Sequence, residues 1–206
     1  MSLTPVFSCQ YLAPIEYYFH IINNKKAIID VNENFVKQTY RNRCCILSPN
    51  GVQNLTIPLV KSRQKKRTKN MLIAYDEDWR KIHWKSLESA YRSSPYFEYY
   101  EDEFHPFYHE KKYEKLIDFN ISLNLKLIEL LDIETNIEMA STYQEDVSKE
   151  MDFRNSFSPK KETLLKFTPY IQVFGERNGF TPNLSILDIL FNEGPNSVNY
   201  IKGLKY

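Results

Sequence analysis

The alternation of apolar and polar positions near the N-terminus predicts a strand, a helix and a second strand in succession. Residues 6–13 form a short apolar run that ends at Pro14, which is typical of a buried strand. Residues 15–23 carry apolar side chains at the spacing of an amphipathic helix, and residues 27–31 are again strand-like. Such a strand–helix–strand unit favours a parallel sheet with a right-handed crossover.

The middle of the chain predicts a β-hairpin followed by a basic loop. Residues 43–47 and 54–59 are strand-like, and residues 48–51 between them read Ser-Pro-Asn-Gly, a strong turn signal. Residues 61–69 contain six basic side chains in nine positions and no acidic one. A run of that kind is typical of a solvated, mobile loop.

Longer periodic segments complete the prediction. Helices are expected at residues 78–91, 113–131 and 184–191, and strands at residues 137–143 and 170–174. Residues 145–161 are polar without a clean period and are interpreted as a loop. Together these elements predict an α/β fold (or α+β with a mixed sheet) in a single compact domain, residues 1–206. A mainly parallel central sheet would carry a β-hairpin and flanking helices.

Composition narrows the functional classes. A length of 206 residues fits one domain, and the net charge of +1 argues against a dedicated nucleic-acid binder. We find no membrane-length apolar run and no secretory signal, so a cytoplasmic protein is expected. With only five glycines and no glycine-rich phosphate loop, the chain matches none of the common nucleotide-binding signatures. Its 15 tyrosines suit half-buried walls and interfaces.

Neither cysteine nor histidine spacing predicts a metal site, and no cofactor is identified. The three cysteines lack metal-ligand spacing, and reduced, packed thiols are expected. His105 and His109 are four residues apart and could bind a metal from a helix, but Pro106 lies between them.

The first candidate site is the carboxyl edge of the predicted parallel sheet, where open α/β sheets bind ligands. Gln10 and Tyr11 end the first predicted strand, and Asp30 and Glu33 end the second. Gln10 could hydrogen-bond an amide or hydroxyl, and Asp30 could hold a hydroxyl, an amine or a metal. The alternative is that these residues merely cap and solvate the end of the sheet.

Two further candidates lie on the hairpin and on the helix after it. Asn42 and Arg43 precede the basic run, and arginine binds phosphate or carboxylate in bidentate fashion, which would suit a nucleotide diphosphate. His83 is the best general acid–base candidate, because histidine titrates near neutral pH. The alternatives are ordinary surface charges and a satisfied core histidine. Nearby tyrosines could stack on a sugar or a base: Tyr91, Tyr96, Tyr99 and Tyr100.

Several segments, in this order, resemble the WbqC-like protein family. They are QYLAPIEYYFHI, VKQTYRNRCCI, NLTIPL, HWKSLESAYRSSPYFEYY, LIDFN and NLSILDILFNEGP, within residues 10–195. Two departures stand out: the stretch before the closing segment is compact, and Ile15 follows Pro14 where the family usually has tryptophan. The resemblance implies a role in surface-polysaccharide or glycoconjugate biosynthesis, centred on activated amino sugars and acyl or aminoacyl transfer.

The resemblance also marks positions without assigning their roles. They are Gln10, Tyr11, Asn42, Arg43, His83, Tyr91, Asn120, Asp188 and Asn192. One hypothesis is an enzyme whose small-molecule substrate, anionic or sugar-linked, is held by Arg43, with His83 as base and Asp188 or Asp30 orienting it. The other is a non-catalytic binding protein, either a partner of a polysaccharide enzyme or a sensor of an anionic ligand.

Overall fold

Three parallel strands form the central sheet of the computed structural model, which describes residues 4–61, 64–110 and 112–206. Strand β1 (Val6–Ser8) pairs with β2 (Lys26–Asp30), and β2 pairs with β5 (Asn136–Met139), both in parallel register. On the other side of β1, residues 151–153 run alongside Val6 in a short parallel bridge. The predicted parallel sheet is therefore confirmed.

Helix α1 (Ile15–Ile22) connects β1 to β2 and begins directly after Pro14, as the apolar periodicity predicts. The first strand is shorter than predicted, because the chain leaves the sheet after Ser8. Leu12 adopts a positive φ of 44°, and the amide of Tyr11 donates to the carbonyl of Tyr40 instead of a sheet neighbour. Gln10 and Tyr11 consequently lie beyond the sheet rather than at its edge.

An antiparallel hairpin of β3 (Arg43–Ser48) and β4 (Gly51–Thr56) stands apart from the parallel sheet. Two residues, Pro49 and Asn50, connect the strands, and Gly51 takes a φ of 97° that side chains rarely adopt. The second strand starts at Gly51 rather than at residue 54, and it ends at Thr56 because residues 58–60 pair with residues 72–74 instead.

Among the described residues, four helices of eight residues or more follow the hairpin. They are α2 (Trp79–Tyr91), α3 (Phe97–His109), α4 (Leu116–Leu130) and α6 (Ile186–Glu193). Helix α4 begins later than predicted, because Glu114 and Lys115 pair with residues 72 and 73. Two shorter helices are α5 (Gly175–Asn178) and α7 (Ser197–Gly203).

Sequence patterns did not predict α3, since Pro106 was expected to interrupt it. Proline removes the hydrogen bond to the carbonyl four residues earlier, which here belongs to Asp102. Asp102 is exposed, so water can satisfy that carbonyl, while the buried Phe104, Phe107 and Tyr108 hold the helix against the core. The helical trace therefore continues through the proline.

The strand predicted at residues 170–174 is wrong. Tyr170 and Gln172 direct their side chains to Asp188, and Val173 and Phe174 turn into α5. Across the described residues, the mainly parallel sheet, the hairpin and the surrounding helices confirm a mixed α/β fold. No helix in these ranges is long and apolar enough to cross a membrane.

Candidate functional site

A strongly basic cavity of about 420 Å³ lies beside the hairpin, and we call it the basic pocket. Its lining comes from four stretches of chain: the segment after β2, the start of β3, the segment after β4, and the basic run with the residues behind it. The lining residues are Phe35, Lys37, Gln38, Asn42, Arg43, Leu59, Val60, Lys61, Gln64, Lys65, Lys66 and Met71.

Backbone hydrogen bonds fix these stretches against one another. The amide of Phe35 donates to the carbonyl of Lys66 at 3.0 Å, and Asn34 and Arg67 form an antiparallel bridge. The amide of Val60 donates to the carbonyl of Leu72 at 3.0 Å. The basic run is thus anchored to the segment after β2.

The charge of the basic pocket is its distinguishing property. None of the described lining residues is acidic, and five of the lining side chains are cationic. The cations are Lys37, Arg43, Lys61, Lys65 and Lys66. The Nε of Arg43 is buried and has no hydrogen-bond partner within the described parts of the chain. An unpaired buried donor costs free energy unless a ligand or water accepts its hydrogen bond.

Amide side chains hold the pocket's shape at two points. Asn42 donates through Nδ2 to the carbonyl of Ile57 at 2.8 Å, which ties the start of β3 to the exit of β4. Gln38 has a φ of 60°, and its Oε1 accepts a hydrogen bond from Lys160 at 2.8 Å. The pocket is therefore built partly by long-range contacts.

The structure brings together the hairpin residues and the basic run that the sequence singled out for an anionic ligand. Asn42, Arg43, Lys61, Lys65 and Lys66 all line the same pocket. The interpretation of the whole run as a mobile loop is too simple, because residues 68–70 form a short 3-10 helix, and Lys69 donates to Asn32 at 2.8 Å. Ser62 and Arg63 lie outside the described residues.

His83 lies elsewhere, in a buried chain of hydrogen bonds. Its Nδ1 is 2.9 Å from the hydroxyl of Tyr11, which in turn is 2.8 Å from the hydroxyl of Tyr108. The imidazole also hydrogen-bonds to the backbone of Thr56. Burial lowers the pKa of His83 to about 4. This neutral, engaged ring joins α2 to the hairpin and to α3, as expected of a satisfied core histidine.

Asp188 forms a second buried group, in the first turn of α6. Its carboxylate accepts hydrogen bonds from the hydroxyl of Tyr170 and from Gln172, the latter at 2.8 Å. Burial raises the pKa of Asp188, and these hydrogen bonds oppose the rise. The Tyr91 hydroxyl lies near this carboxylate, outside hydrogen-bonding geometry. Asn192 donates to the carbonyl of Asp188 one helical turn later.

Asp30 belongs to a third group, at the carboxyl edge of the parallel sheet. Its Oδ2 accepts from Arg154 at 2.9 Å and from the amide of Gln144 at 3.1 Å, while Oδ1 accepts from the amide of Asn32. Arg154 is held on its other side by Asp152 at 2.7 and 2.8 Å. Asp30 therefore ties loops to the sheet, and His83, Asp188 and Asp30 lie in three separate hydrogen-bonded groups.

Three remaining predicted binding residues are also built into the protein framework. Gln10 donates to the hydroxyl of Ser8, and Asn120 donates to the carbonyl of Arg41. The carbonyl oxygens of both amide side chains are buried without a partner in the described ranges. Tyr96 packs its ring over Gly194, where an added Cβ would meet the ring at 2.6 Å.

The two histidines of α3 that could bind a metal from a helix lie side by side. The rings of His105 and His109 stack at 3.8 Å, and His109 Nδ1 is 3.1 Å from the carbonyl oxygen of His105. Within the part of the chain that the structure describes, no group of three or more histidine, cysteine or carboxylate side chains could hold a metal ion.

Sequence inspection missed the pocket residues that precede β3. Phe35, Lys37 and Gln38 were not singled out, although they lie within a few residues of Asn42 and Arg43. The available signal was the polar and basic character of residues 37–43, which contain Lys37, Arg41 and Arg43. Of these three, Arg41 faces inward and pairs with Glu33 instead.

Comparison with known proteins places the chain in a family. A sequence profile of the WbqC-like protein family matches residues 10–156, which include Gln10, Asn42, Arg43, His83 and Asn120 but not the closing segment with Asp188 and Asn192. The chain is 26% identical over 228 residues to the uncharacterized protein Rv1507c of Mycobacterium tuberculosis, covering 98% of each chain. No solved structure matches the chain. Because the profile covers most of its length, the chain belongs to the WbqC-like protein family.

Proposed function

We propose that this protein is an enzyme of surface-polysaccharide or glycoconjugate biosynthesis that binds a nucleotide-linked amino sugar in the basic pocket. The observation that carries the proposal is the charge of the pocket: five cations and no carboxylate among its described lining residues. Arginine and lysine are the side chains that bind phosphate groups, and Arg43 lines the pocket with an Nε–H that has no partner among the described residues.

The rest of the pocket suits the uncharged part of such a ligand. Its volume of about 420 Å³ lies in the range of small-molecule sites. Phe35, Leu59 and Met71 offer apolar contact to a base or a sugar ring, while Gln38 and Asn42 add polar groups at the edge. A dianionic or trianionic diphosphate with an attached ring therefore matches both the charge and the wall.

The reaction class that we propose is acyl or aminoacyl transfer to the amine of the sugar. The amine nitrogen attacks the carbonyl carbon of an activated donor such as a thioester. The bond from that carbon to the sulfur then breaks, and the departing thiolate takes up the proton that the amine loses, so that an amide and a free thiol result. Cationic side chains near the reacting carbonyl would stabilise the negative charge that develops on its oxygen.

One observation favours a second candidate function, a binding protein without catalysis. The described lining of the basic pocket contains no carboxylate, imidazole or thiol that could accept the proton of the amine. His83 and Asp188 are buried in groups of their own. A partner enzyme could supply the transfer chemistry while this chain holds the anionic sugar.

Calorimetric titration of the purified protein tests the proposal. The ligands are a nucleoside diphosphate, nucleoside diphosphate amino sugars and the free amino sugar. We expect Arg43→Ala to weaken binding of the diphosphate compounds by roughly tenfold or more, since a charged hydrogen bond contributes about 1.5–3 kcal/mol. Arg177→Ala, which removes an exposed arginine from α5, is the matched control and should bind as wild type.

The two candidate functions separate in a second step. Adding a thioester acyl donor to the bound amino sugar should give an acylated product if the protein is a transferase. Binding without turnover would favour the binding protein. If no diphosphate compound binds, or if Arg43→Ala binds as tightly as wild type, the proposal is wrong.

A further inference from the structure

A second cavity, of about 310 Å³, lies beyond the carboxyl ends of β2 and β5, and we call it the sheet-edge pocket. The residues that follow β2 form one side, and those that follow β5 and flank β1 form the other. The lining includes Asn34, Arg67, Tyr143, Asp152 and Arg154. Parallel α/β sheets bind ligands at this edge.

The two pockets lie on opposite sides of one thin wall. The wall is the short ladder in which residues 34–35 pair with residues 66–67. Along this extended segment Asn34 and Val36 line the sheet-edge pocket, whereas Phe35 and Lys37 line the basic pocket. Alternate side chains of an extended chain point to opposite faces, so the two cavities are separate sites.

Buried ion pairs make the floor of the sheet-edge pocket rigid. Arg154 makes hydrogen bonds to Asp152, to Asp30 and to the carbonyl of Gln144. Glu33 holds Arg41 through two hydrogen bonds of 2.6 and 2.7 Å. Arg154 and Glu33 are each 5% exposed, so their positions are set before any ligand arrives. Preorganised polar groups bind ligands at a low entropic cost.

Groups at the rim are free to meet a ligand. The side chains of Asn34 and Arg67 are exposed and make no hydrogen bond to the other described residues. The ring of Tyr143 is 42% exposed and lies 4.6 Å from the guanidinium of Arg154. The pocket thus combines donors, acceptors and an aromatic face.

We infer that the sheet-edge pocket binds the hydroxyl groups of a monosaccharide unit, independently of the anion proposed for the basic pocket. Its charges balance, with Glu33 and Asp152 against Arg67 and Arg154, so it selects neither anions nor cations. Both carboxylates are already paired with arginines, which leaves little attraction for a ligand ammonium group. Sugar hydroxyls both donate and accept, matching this mixture, and the sugar's C–H face suits the Tyr143 ring.

Saturation-transfer NMR with methyl glycosides of glucose, galactose and N-acetylglucosamine at millimolar concentration tests the inference. We expect at least one glycoside to give a signal that Tyr143→Ala and Asn34→Ala each reduce by roughly fivefold, as for the loss of one ring contact or hydrogen bond. Tyr206→Ala, at a tyrosine that is 60% exposed and lines neither of the two pockets, is the matched control and should leave the signal unchanged. Arg43→Ala should also leave it unchanged.

Each other outcome overturns the inference. No signal from any glycoside, or a signal that survives both Tyr143→Ala and Asn34→Ala, removes the sugar site. A signal that Arg43→Ala abolishes places the sugar in the basic pocket instead. Since both rim positions are partly or fully exposed, thermal melts of the variants verify that folding is intact. Failure here leaves the diphosphate titrations untouched, so the two proposals fail separately.

Discussion

Replacing His83 with asparagine should make the stability of the protein less sensitive to acid. Burial lowers the pKa of His83 from 6.5 to about 4, so the unfolded chain binds a proton at pH values where the folded protein does not. The neutral ring stabilises the fold above pH 6.5, and that contribution is lost as the pH falls towards 4. His83→Asn has no titrating group and cannot lose it.

The size of the effect follows from the shift in pKa. A difference of one pKa unit between the folded and the unfolded chain corresponds to about 1.36 kcal/mol of stability. Because the full difference is reached only below the folded-state pKa, acidification from pH 7 to 4.5 should lower the free energy of unfolding by roughly 2 kcal/mol through His83. Urea denaturation at both pH values, for wild type and His83→Asn, measures this difference in the free energy of unfolding. We expect the variant to be less stable than wild type at pH 7, because asparagine weakens the contacts that His83 makes to Tyr11 and Thr56.

A matched substitution separates the effect of burial from that of removing any histidine. His109→Asn deletes an imidazole from the exposed end of α3 and serves as the comparison. Equal acid sensitivity in wild type and His83→Asn would refute the reasoning, since it would mean that the folded protein protonates His83 as readily as the unfolded chain does. The weak basicity that goes with a pKa of about 4, and the burial of the ring, also argue against a general base at this position.

Two further substitutions test contacts that hold the fold together. Glu33→Gln should destabilise the protein by about 3–5 kcal/mol in urea denaturation, because Arg41 would keep a buried charge without its partner; a loss below about 1 kcal/mol contradicts this pairing. Gly194→Ala should cost about 2 kcal/mol by thermal melting, since φ is 53° and the new Cβ would lie against the Tyr96 ring; a variant as stable as wild type would show that Tyr96 is free to move.

Local patterns predicted the elements that depend on neighbours in sequence. The strand–helix–strand unit, the Ser-Pro-Asn-Gly turn and the helix at residues 79–91 follow from apolar spacing and turn chemistry. Helix α3 was missed because Pro106 was expected to interrupt it, whereas the buried Phe104, Phe107 and Tyr108 hold it against the core. The prediction of a strand at residues 170–174 was wrong because Tyr170 and Gln172 hydrogen-bond to the buried Asp188, a contact that the local pattern does not show.

The candidate site shows the same division. The preference of Asn42, Arg43 and the lysines for an anionic ligand could be predicted, because it follows from residue type and charge alone. Their assembly into one cavity could not, since it rests on the pairing of residues 34–35 with residues 66–67. For the same reason, the sequence around Asp30 does not reveal its ion pair with Arg154, a residue 124 positions away.

The ladder between the two pockets constrains how this region of the chain can change length. Because neighbouring side chains on the segment from Asn34 to Lys37 face different cavities, inserting or deleting one residue there would exchange the two linings. Lys37 would turn towards the buried ion pairs, and Asn34 or Val36 would enter the basic pocket. A change of two residues would preserve both faces. Length variation in this segment is therefore tolerable in even steps and disruptive in odd ones.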